Sequence, residues 1–190
     1  MKDFVILDIE TTGLSRQYHK ITEIAAVRVS GSKITERYKT LINPEQPIPQ
    51  FITRLTGIDN TLVKDSPTIE NALPGFLSFL KDGIIVGHNV SFDYGFLNRN
   101  SEIYLGKMIE NDTLCTRRLA NRLVPNIRSK SLSNLCERFS IENKQAHRAM
   151  SDVLATKDLF IIFIKMLKEI GITEQEKIIK FQRSTIKRKV

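Results

Sequence analysis

A mixed α/β domain is predicted from three observations. The chain opens with a short apolar run, Phe4-Val5-Ile6-Leu7, of the kind that forms a strand covered on both faces. Two further strand-like runs follow with short connections, Ile21 to Val29 and Ile34 to Ile42. From Thr68 onward, helical stripes alternate with another brief apolar run, Ile84 to His88.

The second and third runs are joined across Gly31-Ser32, a tight-turn signal, so the first three strands are expected to form an antiparallel meander. Asn43 to Pro49 is rich in breakers and reads as a loop. A short helix is expected from Pro49 to Leu55, closed by Gly57 at its C-cap. Apolar residues at 69, 72, 73, 76, 77 and 80 predict an amphipathic helix over Thr68 to Lys81. Ser91 is the expected cap of a helix reaching about Tyr104. An extended piece near Asn111-Asp112 leads into a helix from Leu114 to Leu123, which Pro125 stops. Ser129 or Ser131 caps the next helix, and a long last helix runs from about Ala146 to Ile170, ending at Gly171.

The 190 residues suit one domain, and 41% hydrophobic with 26% charged residues is ordinary for a globular chain. No stretch approaches the roughly 18 uncharged apolar residues of a membrane span. Met1-Lys2-Asp3 leads straight into strand without the pattern of a signal peptide. Cys115 and Cys136, both placed in helices by this reading, are too few for a disulfide framework or a zinc site. A cytoplasmic, reducing location is expected. Six of the eight net positive charges fall after residue 176, on Lys177, Lys180, Arg183, Lys187, Arg188 and Lys189. Such a run can hold phosphate or simply be solvated.

Three clusters stand out chemically. Asp8 and Glu10 share one face at the end of the first strand. Two desolvated carboxylates side by side repel unless a cation joins them, and hard divalent ions prefer oxygen ligands. A strand end emerging into water would carry the same residues, so the pair alone leaves both readings open. The second cluster is His88-Asn89-Val90-Ser91-Phe92-Asp93 after the buried run. The third, His147-Arg148-Ala149-Met150-Ser151-Asp152, opens the last helix. Strand ends and the helix starts that follow them are where α/β sheets gather ligands. His147 and Asp152 stand about 140° apart on a regular helix, so they share a site only if His147 precedes its regular part.

In that order, the three clusters resemble the three motifs of the DEDDh 3′→5′ exonucleases, a family that includes the proofreading (epsilon) subunits of bacterial DNA polymerase III. The resemblance covers roughly residues 4–165. It implies an RNase H-like fold, a five-stranded mixed sheet with one antiparallel strand, flanked by helices. It also implies an exonuclease domain over residues 1–172 and a basic C-terminal tail over 173–190. Two divalent cations, Mg²⁺ or Mn²⁺, are expected on Asp8, Glu10, Asp93 and Asp152, with His147 as general base. Thr11, Thr12, Leu14, Leu55, Ile58, Asn89 and Phe92 match positions that border the terminal nucleotide, and backbone N–H groups near Thr12 are expected to meet its sugar.

The implied substrate is the single-stranded or frayed 3′ end of DNA, with a DNA polymerase as a possible partner and no membrane. RNA trimming is the alternative. The Thr11-Thr12-Gly13 form of the first motif leans towards DNA. A non-catalytic adaptor of the same fold is the third reading, and the intact set of four carboxylates and His147 speaks against it.

Overall fold

The structure, a computed structural model, describes residues 2–185. Lys187, Arg188 and Lys189 of the expected basic tail lie outside the described residues. The first strand, β1 (Phe4–Thr11), is followed by β2 (Ile21–Ser30) and β3 (Lys33–Leu41). Gly31, in the left-handed region at φ 61°, makes the tight turn between the last two. Helix α1 (Gln50–Thr56) ends at Gly57, also left-handed at φ 73°. A four-residue turn of helix, α2 (Asn60–Val63), which the sequence pattern did not signal, is capped by the Asp59 carboxylate. Then come α3 (Ile69–Leu80), β4 (Ile84–Gly87), α4 (Ser91–Leu105) and β5 (Thr113–Cys115). Four helices complete the chain: α5 (Thr116–Leu123), α6 (Leu132–Arg138), α7 (Ala149–Glu169) and α8 (Gln175–Arg183).

Several boundaries move from expectation. The strand expected at 111–112 lies at Thr113–Cys115, so Cys115 ends a strand rather than sitting in a helix. Val90, not Ser91, occupies the cap position of α4. Helix α7 begins at Ala149 because residues 144–147 form turns in front of it. Ser131 caps α6 as expected, accepting from the Asn134 N–H at 3.3 Å.

The sheet has the order β3-β2-β1-β4-β5. Only β2 runs against the others: β1 pairs antiparallel with β2 and parallel with β4, and β4 pairs parallel with β5. Side-chain alternation along β1 then builds two cores. Val5, Leu7 and Ile9 pack with α3 and α4, through Leu73, Phe76, Phe96 and Leu97. Ile6 points the other way, into Leu119, Leu135, Val153, Phe160 and Phe163 of α5, α6 and α7. By parity, Asp8 and Glu10 point to this second side, towards α7.

One register detail prepares the site. Pairing of β1 with β4 stops at Ile6–Val86, whereas pairing with β2 continues to Glu10–Glu23 and beyond. The last residues of β1 therefore have a strand neighbour on one side only, and their N–H groups on the other side need partners.

The boundary expected at residue 172 is displaced by α8, which packs on the domain. Its Ile178 is buried against the second core, and Gln182 is buried beside edge strand β5. The Cys115 N–H donates to Gln182 Oε1 at 2.8 Å, and Gln182 Nε2 donates to the Thr113 carbonyl at 2.5 Å. A side-chain amide thus supplies the donor and acceptor that a sixth strand would bring. Replacing Gln182 with Leu leaves a buried N–H without an acceptor. It should lower unfolding stability by about 1–3 kcal/mol, measured by urea denaturation.

Candidate active site

Carboxylate oxygens of Asp8, Glu10 and Asp152 all lie within 4.8 Å of one another. Two come from β1 and the third from the first turn of α7, which packs across the sheet face they share. Asp93 is not among these three but adjoins them. It is buried in the first turn of α4, and its Oδ1 accepts from the Ile9 N–H at 3.1 Å. That donor is free because β4 has already ended, so the short parallel strand is what lets Asp93 reach β1.

The charge is poorly solvated. Burial, then repulsion from Asp93, Glu10, Asp152 and Glu23, holds the Asp8 carboxyl well above its usual range. Burial and the neighbouring Asp152, Glu23 and Asp93 carboxylates push Glu10 up to about 8, against a smaller pull from Arg148. Asp93 is raised to about 7 by burial, opposed by its backbone hydrogen bonds. Asp152 is raised by burial too, and its bonds to Asn143 and His147 lower it. Such a cluster gains from a cation that neutralises several carboxylates at once.

Asp152 is aimed by the turns before α7. Asn143 Nδ2 donates to its Oδ1 at 2.7 Å, and the His147 N–H donates to its Oδ2 at 2.9 Å. Ser151 Oγ in turn donates to Asn143 Oδ1 at 2.7 Å. His147 has the left-handed φ of 64° and an exposed side chain. It lies outside the helix, the condition under which it shares a site with Asp152.

Glu23, an acid within the mostly apolar strand β2, is fully buried opposite Glu10. Its Oε2 accepts from the Ala149 N–H at 3.2 Å, and Arg148 Nη2 lies 3.3 Å from its Oε1. Lys39 Nζ stands 3.5 Å from Oε1. Glu23 thus anchors the N-terminus of α7, where a carboxylate meets the positive end of the helix dipole, and so sets where Asp152 falls. The one signal for it in the sequence is an acid within a mostly apolar strand-like run. Arg148 and Asn143 gave no such signal, because their partners are distant in the chain or reached only through a turn.

The remaining expected positions divide. Leu14 is 85% exposed, and it shares a cleft of about 540 Å³ with Phe92, whose ring packs on Phe96 with centroids 5.0 Å apart. Asn89 is exposed at φ 75°. Leu55 is half exposed. Ile58, in contrast, is fully buried with Ile48, Ile52 and Val63, so its side chain packs a small core and meets no ligand. Thr11 and Thr12 are buried and committed: Thr11 Oγ1 donates to the Gly13 carbonyl, and Thr12 Oγ1 accepts from the Lys20 N–H and from Gln46 Nε2. The Thr12 N–H itself donates to the Lys20 carbonyl, so it is not available to a sugar. Both threonines fix the loop that presents Leu14.

His88, the first residue of the second cluster, is also structural. Burial pulls its imidazole down to about 4, so the ring is neutral at physiological pH. Nε2 lies 2.9 Å from the Lys130 carbonyl and must carry the proton; Nδ1 then accepts from the Thr116 hydroxyl.

Comparisons with known proteins agree with this geometry. The family described as Exonuclease matches residues 5–160. The DNA polymerase III epsilon subunit of Aquifex aeolicus is 42% identical over 167 residues, 88% of this chain and 81% of that protein. The PolC-type DNA polymerase III of Caldanaerobacter subterraneus is 43% identical over 170 residues, which cover 90% of this chain but only 12% of that polymerase. A structure of exonuclease X in complex with 5′ overhanging duplex DNA superposes with a TM-score of 0.76 at 28% identity, covering 94% of this chain and 99% of the other. Escherichia coli exonuclease I with a dT13 oligonucleotide shares the fold, at a TM-score of 0.78 and 19% identity over 90% of this chain and 43% of the other. From the acidic cluster at the end of β1 to the helix that completes it, the chain belongs to the exonuclease family.

Proposed function

We propose that the chain removes nucleoside 5′-monophosphates one at a time from the 3′ end of single-stranded or frayed DNA. The observation that carries this reading is the convergence of Asp8, Glu10 and Asp152 within 4.8 Å, with Asp93 alongside. All-oxygen donors, partly desolvated and mutually repelling, fit Mg²⁺ or Mn²⁺. Asp8, Glu10, Asp93 and Asp152 would hold two such ions. When bound, the ions supply charge neutralisation for in-line displacement at a phosphodiester.

The protein's own groups do the rest. His147, exposed and joined to Asp152 through its backbone N–H, would take a proton from the attacking water on its imidazole, the general-base role that histidine most often fills. Asn143 and the His147 N–H hold Asp152 in one orientation. Leu14 and Phe92 flank the cleft that would receive the terminal base, and Asn89 and Leu55 would contact the same nucleotide. A base must leave its stack to enter, at a cost of about a few kcal/mol, so unpaired ends are favoured. That selectivity suits proofreading or repair. The polymerase components among the relatives support a DNA polymerase as partner and a cytoplasmic setting. The DNA in the structures of two relatives supports DNA over RNA.

A 5′-labelled single-stranded DNA oligonucleotide should shorten from its 3′ end only when Mg²⁺ or Mn²⁺ is present. Asp8→Ala should lower the rate by at least ~10²-fold, as loss of a group that stabilises transition-state charge does. His147→Ala should cost about 10²–10⁴-fold. Cleavage of a matched RNA strand with DNA left whole would transfer the assignment to RNA trimming.

Stability should also depend on pH in a metal-controlled way. Above pH 4 to 5 the unfolded carboxyls ionise freely, while Glu10, at about 8 in the fold, and Asp93, at about 7, still hold their protons. Folding thus binds protons in this window, and stability falls as pH rises towards 8. In EDTA, the melting temperature should decline across that range, and Mn²⁺ should restore it most at the alkaline end. A melting temperature indifferent to metal at pH 8 would count against the ion site.

A further inference from the structure

The cleft at Leu14 and Phe92 does not end where α4 begins. It opens into a second hollow, about 480 Å³ in volume, between α4, the end of β5 and α5. Arg16, Ser91 and Arg99 line both, so the two form one continuous groove. Arg118 lies along the second part, and Glu102 is the only acid on the groove's walls. From Ser91 to Glu102 the path follows α4 for about 16 Å, at 1.5 Å per residue.

Arg16, Arg99 and Arg118 are all exposed, and none of them takes an ion pair among the described residues. Arg28 and Arg148, by contrast, are ion-paired, the first with Asp3 and Glu36 and the second with Glu23. Three guanidinium groups without an acidic partner thus line the groove where a strand leaving the cleft would run. Gly95 marks a built feature of this path. Glycine is a poor residue for the middle of a helix. A Cβ at Gly95 would stand 2.6 Å from Arg16 Nη1, so its absence is what allows that guanidinium to lie on α4. Tyr94 adds an aromatic ring to the same wall.

We infer that this groove carries the single-stranded DNA that precedes the nucleotide being removed, with its phosphates on Arg16, Arg99 and Arg118. Cationic grooves with interleaved aromatic rings bind single strands without sequence preference. The inference rests on the exonuclease reading, because it takes the Leu14–Phe92 cleft as the place of the 3′ nucleotide. It makes affinity depend on strand length: a dinucleotide fills the cleft, and a longer strand also engages the arginines.

Fluorescence anisotropy in EDTA tests this, comparing single-stranded DNA of about twelve nucleotides with a dinucleotide. Arg118→Ala should weaken the longer strand several-fold, leave the dinucleotide within twofold, and reduce the slope of log affinity against log salt by ~0.7. Gly95→Ala should reproduce the slope change by displacing Arg16, without lowering the melting temperature. Unchanged slopes in both variants, with wild-type protein still shortening DNA from the 3′ end in Mg²⁺, would overturn the groove and leave the exonuclease reading intact. Reduced slopes with no cleavage by the wild type would support strand binding in the groove while removing the hydrolytic reading.

Discussion

Gathering four carboxylates at one end of a buried strand is unfavourable, and much of this fold consists of the means by which it is tolerated. Asp8 and Glu10 sit two apart on β1, so nothing in the strand can separate them. Each of the other acids is held by hydrogen bonds that fix its direction. Asp93 accepts from Ile9, Asp152 from Asn143 and His147, and Glu23 from Ala149 and Arg148. These donors are backbone N–H groups, the Asn143 amide and the Arg148 guanidinium, supplied near where a strand stops or a helix starts. The fold orients the acids but leaves most of their charge uncompensated, which is the state a cation site requires.

Much of this was legible in the chain itself. The apolar run before Asp8 fixed a central strand, and the Gly31-Ser32 turn fixed the meander. The three acidic clusters lay where strand ends and helix starts were expected. What escaped were relations between residues far apart in sequence. Glu23 looks like any acid in a strand until α7 is laid across it, 126 residues later, to meet Ala149. Ile58 resembles a pocket residue by its neighbours in sequence, yet three aliphatic side chains enclose it. The last segment reads as a charged tail because its basic residues mask the apolar side chains Ile178, Ile179 and Phe181 and the amide of Gln182 that dock it.

The comparison structures bear on how the fold divides its labour. A chain 19% identical keeps the same architecture, so the sheet and its two cores withstand wide replacement. Residues that choose a substrate must then lie on the loops and exposed helix faces around the carboxylates. In the function proposed above those are the Leu14 loop, pinned by Thr12 to Lys20 and Gln46, and the face of α4 that bears Phe92, Gly95 and Arg99. Thr12 illustrates the distinction: a residue beside the catalytic motif that touches only protein, and whose work is to hold still the loop that presents Leu14.

The amide of Gln182 has a consequence for how molecules of this protein meet one another. A strand at the border of a sheet offers its free N–H and C=O groups to any passing strand, and that is how sheets of separate molecules fuse. On β5 the exposed row is three residues long, and α8 has already taken its central donor and acceptor through a single side chain. The final helix therefore acts as a stopper at the border of the sheet. The basic residues of its last turn, Lys180 and Arg183, add like-charge repulsion between copies that approach along that border.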